Sequence, residues 1–553
     1  MSQSLNIIIP PPILDENGNY SYSIVTGATD TNLTGVCYKT PDRIIPVVFV
    51  PGVMGTNLKA VKQKYKVPGD LWRLDSSNTL LWWLGRGATM RRNLLSPNVT
   101  EVDDGGFIDH EDETDNALFP SRRNRYWGEV AWMSYGEFLI WLQGALNDFD
   151  SCQGGVRDKL ISVDLQADWN ETPLTKDEVA LSYKYLYPVH ACGYNWLDSN
   201  AVSAERLKNR ITEIKNDYLA KGKKCEKVII ITHSMGGLVA RYYSQYLSGE
   251  QNILGIVHGV MPSIGAAATY TRMKSGAEGN GVVSHMATTA MGKTETDSIT
   301  NAIGAKILGE NAAEMTAVLS QSPGPLQLLP SVEYGMHWLK FKAGNQICSK
   351  PETEPFEDIY SVRGKWWSLC EDHLINPNNT THNKIQMDKD WESYFSILTE
   401  KVQPVINDLQ SKYHKNTYAF YSGGDSFLSY GDVKWHAASP LVETKEHMDY
   451  ILDAPLAVLT DISYTRQTSG VVAYNQESIH FLNTFQMSLP EEPGDGTVPF
   501  RSGHIPFDYL KSCLEVSVGH EPAYKDSEKA RNFVLRAVVK ITQSINETSL
   551  AYK

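Results

Sequence analysis

The sequence predicts an α/β fold: a mostly parallel sheet with large insertions. Three observations carry this. Lys227 to Arg241 joins a β-branched run to a helix-forming run through the tight turn Thr232-His233-Ser234-Met235-Gly236-Gly237, so it reads as strand, sharp turn and helix. Strand-like and helix-like stretches alternate from Tyr187 to Val260, as a parallel sheet requires, since its strands are joined by crossovers. The rhythm then stops over 263–410 and resumes at Thr417, which marks an inserted cap.

Taken in chain order, residues 1–40 are polar, carry Pro10-Pro11-Pro12, and read as an extended arm. The first core segment spans 41–262, with an insertion near 60–180. It opens with a short apolar strand, Ile44 to Val50, ending at Pro51-Gly52-Val53-Met54-Gly55. Ser134-Tyr135-Gly136-Glu137 has the form of a capping box, which predicts a helix from there to Leu146. Tyr187 to Ala191 reads as a strand. A helix from Ser199 aligns Leu207, Ile211, Ile214 and Tyr218 on one face. After the strand ending at Thr232 and its helix comes the strand Asn252 to Val260. The 263–410 cap is aromatic in its later half (Trp338, Trp366, Trp367). The second core segment, 411–553, holds strands at Thr417–Tyr421 and Ile479–Met487 and a last helix, Ser527 to Ile541.

The turn at Ser234 sets the chemistry. In the α/β-hydrolase fold such a turn, G-x-S-x-G, lifts a serine oxygen above the sheet and turns the next N–H, here Met235, toward the developing oxyanion. Thr232 occupies the first glycine position, where strand and helix are expected to crowd; glycine there should be tolerated. A serine nucleophile needs a base, and the base needs an orienting carboxylate, in the chain order Ser, Asp, His. Asp495 in Gly494-Asp495-Gly496-Thr497-Val498-Pro499 and His520 in Val516-Ser517-Val518-Gly519-His520 supply them; Asp425 and His504 are rivals. Asp495 alone fits an Asx-turn equally well. A second oxyanion donor is expected after the first strand, from the N–H of Met54 or Val53. An apolar site left open in water would be a large exposed patch, so a stretch of the cap is expected to lie over Ser234.

Composition limits the partners. The chain has 553 residues, 42% of them hydrophobic, enough for one large domain with insertions or for two to four average ones. A net charge of −13 argues against nucleic acid and requires any lipid contact to be local and apolar. No apolar run reaches the roughly 18 residues of a spanning helix. The N-terminus lacks the basic and apolar regions of a signal peptide, and the seven cysteines are odd in number without a C-x-x-C pair. The expectation is synthesis in the cytoplasm as a reduced chain. The acidic stretch Asp103 to Glu113 lacks EF-hand spacing and reads as a solvated loop rather than a calcium site. Leu80-Leu81-Trp82-Trp83-Leu84 fits a lipid-facing surface and buried core equally well.

Val50 to Leu58, the elbow His233-Ser234-Met235-Gly236-Gly237 and Gly494 to Pro499 resemble the lecithin:cholesterol acyltransferase-like and PGAP1-like serine lipases. So does Ser322-Pro323-Gly324-Pro325 followed by Leu328-Leu329-Pro330. His258 to Gly276, with Tyr270-Thr271-Arg272-Met273-Lys274, is similar to the lipase effectors of bacterial type VI secretion. The resemblance covers the core segments and not 60–180 or 340–410. It implies a Ser-Asp-His phospholipase without metal or organic cofactor. It also implies secretion as an antibacterial toxin acting in the target-cell periplasm, with an immunity protein and a secretion-spike component as partners. An acyltransferase using the same residues, and an inactive hydrolase-fold binding module, are the alternatives.

Overall fold

The computed structural model describes residues 41–61, 70–115, 118–148, 154–168, 172–277, 308–437, 444–456, 464–474 and 477–552, with four short strands within 1–40. Most of the expected N-terminal arm, including Pro10-Pro11-Pro12, lies outside them.

Six strands form the central sheet: β1 (Val47–Val50), β2 (Val189–Ala191), β3 (Val228–His233), β4 (Ile253–Gly259), β5 (Thr417–Ser422) and β6 (Ser512–Val516). Their spatial order is β2-β1-β3-β4-β5-β6, and every neighbouring pair is parallel. Such strands are buried on both faces, which is why they read as continuous apolar runs. Successive side chains go to opposite sides. Val48, Val50, Val228 and Ile230 join one apolar cluster, while Val47, Phe49, Ile229 and Ile231 join the other.

Helices cover both faces. Leu207, Ile211, Ile214 and Tyr218 of α2 (Asn200–Ala220) pack in the first cluster with Leu238, Val239 and Tyr243 of α3 (Gly236–Tyr246). Phe138, Leu139 and Leu142 of α1 (Trp132–Leu146) pack in the second with Phe533, Val534 and Val538 of α5 (Glu528–Thr542). The α1 helix starts two residues before the expected capping box. No side chain of its own caps it. Instead the carboxylate of Asp75, from the first insertion, accepts from the N–H groups of Trp132 (2.8 Å) and Met133 (2.7 Å).

The insertions add to the first face. A five-stranded outer sheet runs Gln346–Lys350, Leu339–Ala343, Val433–Ala437, Glu477–Met487, Thr465–Tyr474. The stretch 479–487, expected as a core strand, belongs here. Trp338, Trp366 and Trp435 are buried in the cluster beneath it, and Trp366 stacks on Phe485 with ring centres 4.2 Å apart. In the first insertion the helix Ser77–Leu84 divides the Leu80–Leu84 cluster. Trp83 is buried and donates to the Leu71 carbonyl, whereas Leu81 is exposed. The acidic loop is lined by arginines: Arg73 meets Asp103 at 2.5 Å, and Arg123 meets Glu111.

Candidate active site

Ser234 sits where β3 gives way to α3. Its φ is 51°, the left-handed region, which costs an L-residue about 1–3 kcal/mol and persists only when the surroundings enforce it. Here the Ser234 N–H is held by the Gly259 carbonyl of β4 at 3.0 Å. The crowding falls on the glycines rather than on Thr232. A Cβ on Gly236 would meet the Pro51 carbonyl oxygen at 2.4 Å, and one on Gly237 the Met261 sulfur at 2.3 Å. Thr232 is buried, and its hydroxyl pairs with His258 Nδ1 at 2.8 Å.

The loop after β6 brings His520 to Ser234. His520 Nε2 lies 2.8 Å from Ser234 Oγ, and His520 Nδ1 lies 2.8 Å from Asp495 Oδ2. The His520 N–H also donates to the Asp495 carbonyl at 2.8 Å, so main chain and side chain are fixed by one partner. Asp495 uses its two oxygens separately. Oδ1 accepts from the N–H groups of Thr497 (2.9 Å) and Val498 (2.6 Å), closing an Asx-type turn, while Oδ2 faces the imidazole. Turn and orienting contact coexist. Asp425 is exposed in the loop after β5. His504 stacks on Phe500 and lies 4.0 Å from Asp168, so it belongs to another cluster.

The loop after β1 lies against Ser234: a Cβ on Gly52 would come within 3.0 Å of Ser234 Cβ. Met54 has a φ of 66°, and its carbonyl accepts from Trp72 Nε1 at 2.9 Å. Among the described residues, the N–H groups of Val53, Met54 and Met235 donate to no protein acceptor. Met235 follows Ser234 directly, and Val53 and Met54 follow Gly52, so three main-chain donors lie on the two segments that meet at Ser234. The described residues include no group of three His, Cys, Asp or Glu side chains able to hold a metal ion. Among them, too, no helix is long and apolar enough to cross a membrane.

Four neighbours of the site are not identifiable as functional residues from the sequence: Tyr135, His233, Arg272 and Tyr524. Tyr524 donates to the Thr232 carbonyl at 2.6 Å. Arg272, on α4 (Ala268–Ser275) at the start of the cap, donates to Thr497 Oγ1 at 3.1 Å. Burial lowers the pKa of its guanidinium, and the charge of Asp495 opposes that. The cap thus reaches the acid turn, while its stretch at 278–307 lies outside the described residues. His233 lies between Tyr135 and His520; burial, and then the proximity of His520, pull its pKa down to about 3, so it is neutral.

A family model, the PGAP1-like alpha/beta domain, matches residues 193–273. The span runs from just after β2 through the elbow and β4 into α4. The chain carries a PGAP1-like α/β domain. That domain holds Ser234 and Met235, whereas Val53, Met54, Asp495 and His520 lie outside the matched residues. Among solved structures, the chain is similar to one in the crystal structure of the Tle4–Tli4 complex. The two are 26% identical with a TM-score of 0.68, covering 90% of this chain and 98% of that one. The fold is accordingly a PGAP1-like α/β-hydrolase fold with large insertions. Phospholipase PlaB from Legionella pneumophila matches at 13% identity and a TM-score of 0.16 over 64% of this chain and 78% of that one, too weakly to bear on the fold. No curated protein matches the chain by sequence.

Proposed function

We propose that the chain is a serine lipase that hydrolyses fatty-acyl esters of membrane phospholipids. The observation that carries this reading is the hydrogen-bonded line Ser234–His520–Asp495, each link 2.8 Å, beside unpaired main-chain donors. His520 Nε2 takes the Ser234 proton as Oγ attacks the ester carbonyl carbon. The N–H groups of Met235 and of Met54 or Val53 hold the oxygen that becomes negative. Asp495 keeps Nδ1 protonated and steadies the imidazolium. His520 then protonates the departing alcohol, and a water activated by the same nitrogen frees the fatty acid.

The phospholipid substrate rests on the family resemblance. The same resemblance supports delivery as an antibacterial secreted effector, made in the cytoplasm and acting in the target periplasm, with a secretion-spike component as a further partner. The similarity to Tle4, seen in complex with Tli4, supports a dedicated protein partner of the immunity type.

The test is product analysis by mass spectrometry on phospholipid vesicles, with and without an acceptor alcohol. Free fatty acid in both is the expected result; acyl transfer to the alcohol as the main product would make the chain a transferase. Ser234→Ala and His520→Ala should each abolish release, because triad members act as a unit. Asp495→Asn should lower the rate by about four orders of magnitude, the effect of this change in a serine protease. Asp425→Asn should leave it nearly unchanged. Near-normal activity of pure Ser234→Ala protein would remove the nucleophile from this reading.

A further inference from the structure

His233 and Tyr135 are buried polar groups next to the triad, and the catalytic cycle uses neither. Their hydrogen bonds form one directed line. The Gly52 N–H donates to the Tyr135 oxygen at 3.2 Å. Tyr135 Oη and His233 Nδ1 are 2.9 Å apart, and His233 Nε2 lies 2.8 Å from the main-chain carbonyl of His520. A carbonyl only accepts, so Nε2 carries the His233 proton. Nδ1 must then accept, and the Tyr135 hydroxyl must donate to it. Burial fixes this polarity. It holds His233 neutral, and it raises the pKa of the Tyr135 phenol above its ordinary value.

The glycines of Pro51-Gly52-Val53-Met54-Gly55 make this contact possible. A Cβ on Gly52 would sit 2.7 Å from His233 Nδ1, and one on Gly55 would sit 2.7 Å from the Tyr135 oxygen. Neither residue can carry a side chain while the loop closes on the pair. Tyr524 packs 6.0 Å from the His233 ring and donates to the Thr232 carbonyl.

We infer that Tyr135 and His233 are positioning residues that tie the oxyanion loop to the main chain of the catalytic histidine. The inference rests on the serine-hydrolase reading. The loop bearing Val53 and Met54 is anchored through Gly52. The His520 backbone is anchored through its carbonyl on one side and through Asp495 on the other. The distance between the oxyanion donors and the imidazole is then set by two rigid rings. Misplacement of such groups by about 1 Å costs a rate factor of roughly a hundred.

The experiment uses the full-length protein and a soluble short-chain p-nitrophenyl ester, with kcat, KM and thermal midpoint measured for each variant. Tyr135→Phe removes one oxygen and breaks the line in the middle. His233→Gln keeps an amide N–H for the His520 carbonyl and offers its own carbonyl oxygen to Tyr135 in place of Nδ1; His233→Leu loses both. Tyr135→Phe should lower kcat roughly tenfold with KM within about twofold, since the interaction matters in the transition state. His233→Leu should fall further, and His233→Gln should recover most of that loss. Adding Tyr135→Phe to His233→Leu should bring no further loss, because the link is already cut. Multiplying losses, a change confined to KM, or kcat falling only in step with the thermal midpoint would overturn the proposal. Ser234→Ala is the control for the underlying reading: if it keeps its activity, the triad is wrong, and if it is dead while Tyr135→Phe and His233→Leu are fully active, only the relay is wrong.

Discussion

Thr232 illustrates how one hydroxyl is committed to structure inside the turn that carries Ser234. Its Oγ1 is the hydrogen-bond partner of His258 Nδ1, and His258 Nε2 has no partner among the described residues. Both residues are fully buried. Losing the hydroxyl therefore leaves a buried imidazole without a hydrogen bond, which costs about 1–3 kcal/mol. Thr232→Val keeps the shape and should destabilise by that amount in urea unfolding while kcat stays close to wild type. Thr232→Gly, which the motif alone suggests is harmless, should destabilise more, because it also removes packed atoms and stiffness. Unchanged stability of Thr232→Val would show that the His258 contact is idle; lost activity at full stability would give the hydroxyl a catalytic role. The sequence exposes Ser234, Asp495 and His520 because chain order and flanking glycines restrict them. It hides Tyr135 and His233 because their meaning lies in partners 83 and 287 positions away.

At the scale of elements, the cap helix α4 is held by a buried charge cluster. Lys274 donates to the carbonyls of Trp366 and Ser368, both at 3.0 Å, and to Glu371 at 2.5 Å. Arg466, from the outer sheet, donates to the same Glu371 oxygen at 2.6 Å. Burial pushes the pKa of Glu371 up, but the two cations outweigh it and hold it at about 2. One carboxylate thus pairs with two cations and joins α4 to the outer sheet. Glu371→Gln leaves both uncompensated and should cost about 3–5 kcal/mol, readable as a shift in the urea midpoint. A loss below about 1 kcal/mol would mean that water or another group already screens the pair. Because α4 also presents Arg272 to Thr497, the same variant should lower kcat as the acid turn loosens. These links are not legible in the sequence, for a physical reason. Core strands and amphipathic helices announce themselves by period, whereas the Asp75 cap of α1 and the Lys274 cluster depend on residues far apart in the chain. The strand at 479–487 shows the converse: its residues give a correct strand, but nothing local says which sheet it joins.

The whole molecule keeps several histidines neutral by burial, and this sets its response to acid. Burial lowers the pKa of His233 and His258 to about 3 and that of His414 to about 4, and pulls His190 well below its ordinary value, with Arg125 and Arg210 adding repulsion there. In the unfolded chain each titrates near 6.5. Between those values the unfolded state binds more protons, so stability falls as pH drops below about 6.5 and continues to fall toward the folded values. At pH 5 His233, His258 and His414 each account for roughly 2 kcal/mol of lost stability, and His190 acts in the same direction. Three such losses sum to about 6 kcal/mol, already within the 5–15 kcal/mol that holds a typical protein folded. The carboxylate of Glu371 belongs to a separate, more acidic window: its contribution is lost only as pH falls through about 4.5 toward 2. Thermal midpoints measured from pH 7.5 to 5 should therefore drop steeply below pH 6.5, before carboxylates titrate. A flat profile to pH 5 would mean that these histidines find proton partners in the folded state. The same series separates two causes of acid inactivation. Activity that vanishes at a constant thermal midpoint belongs to the site itself, whereas activity that falls with the midpoint belongs to the buried four.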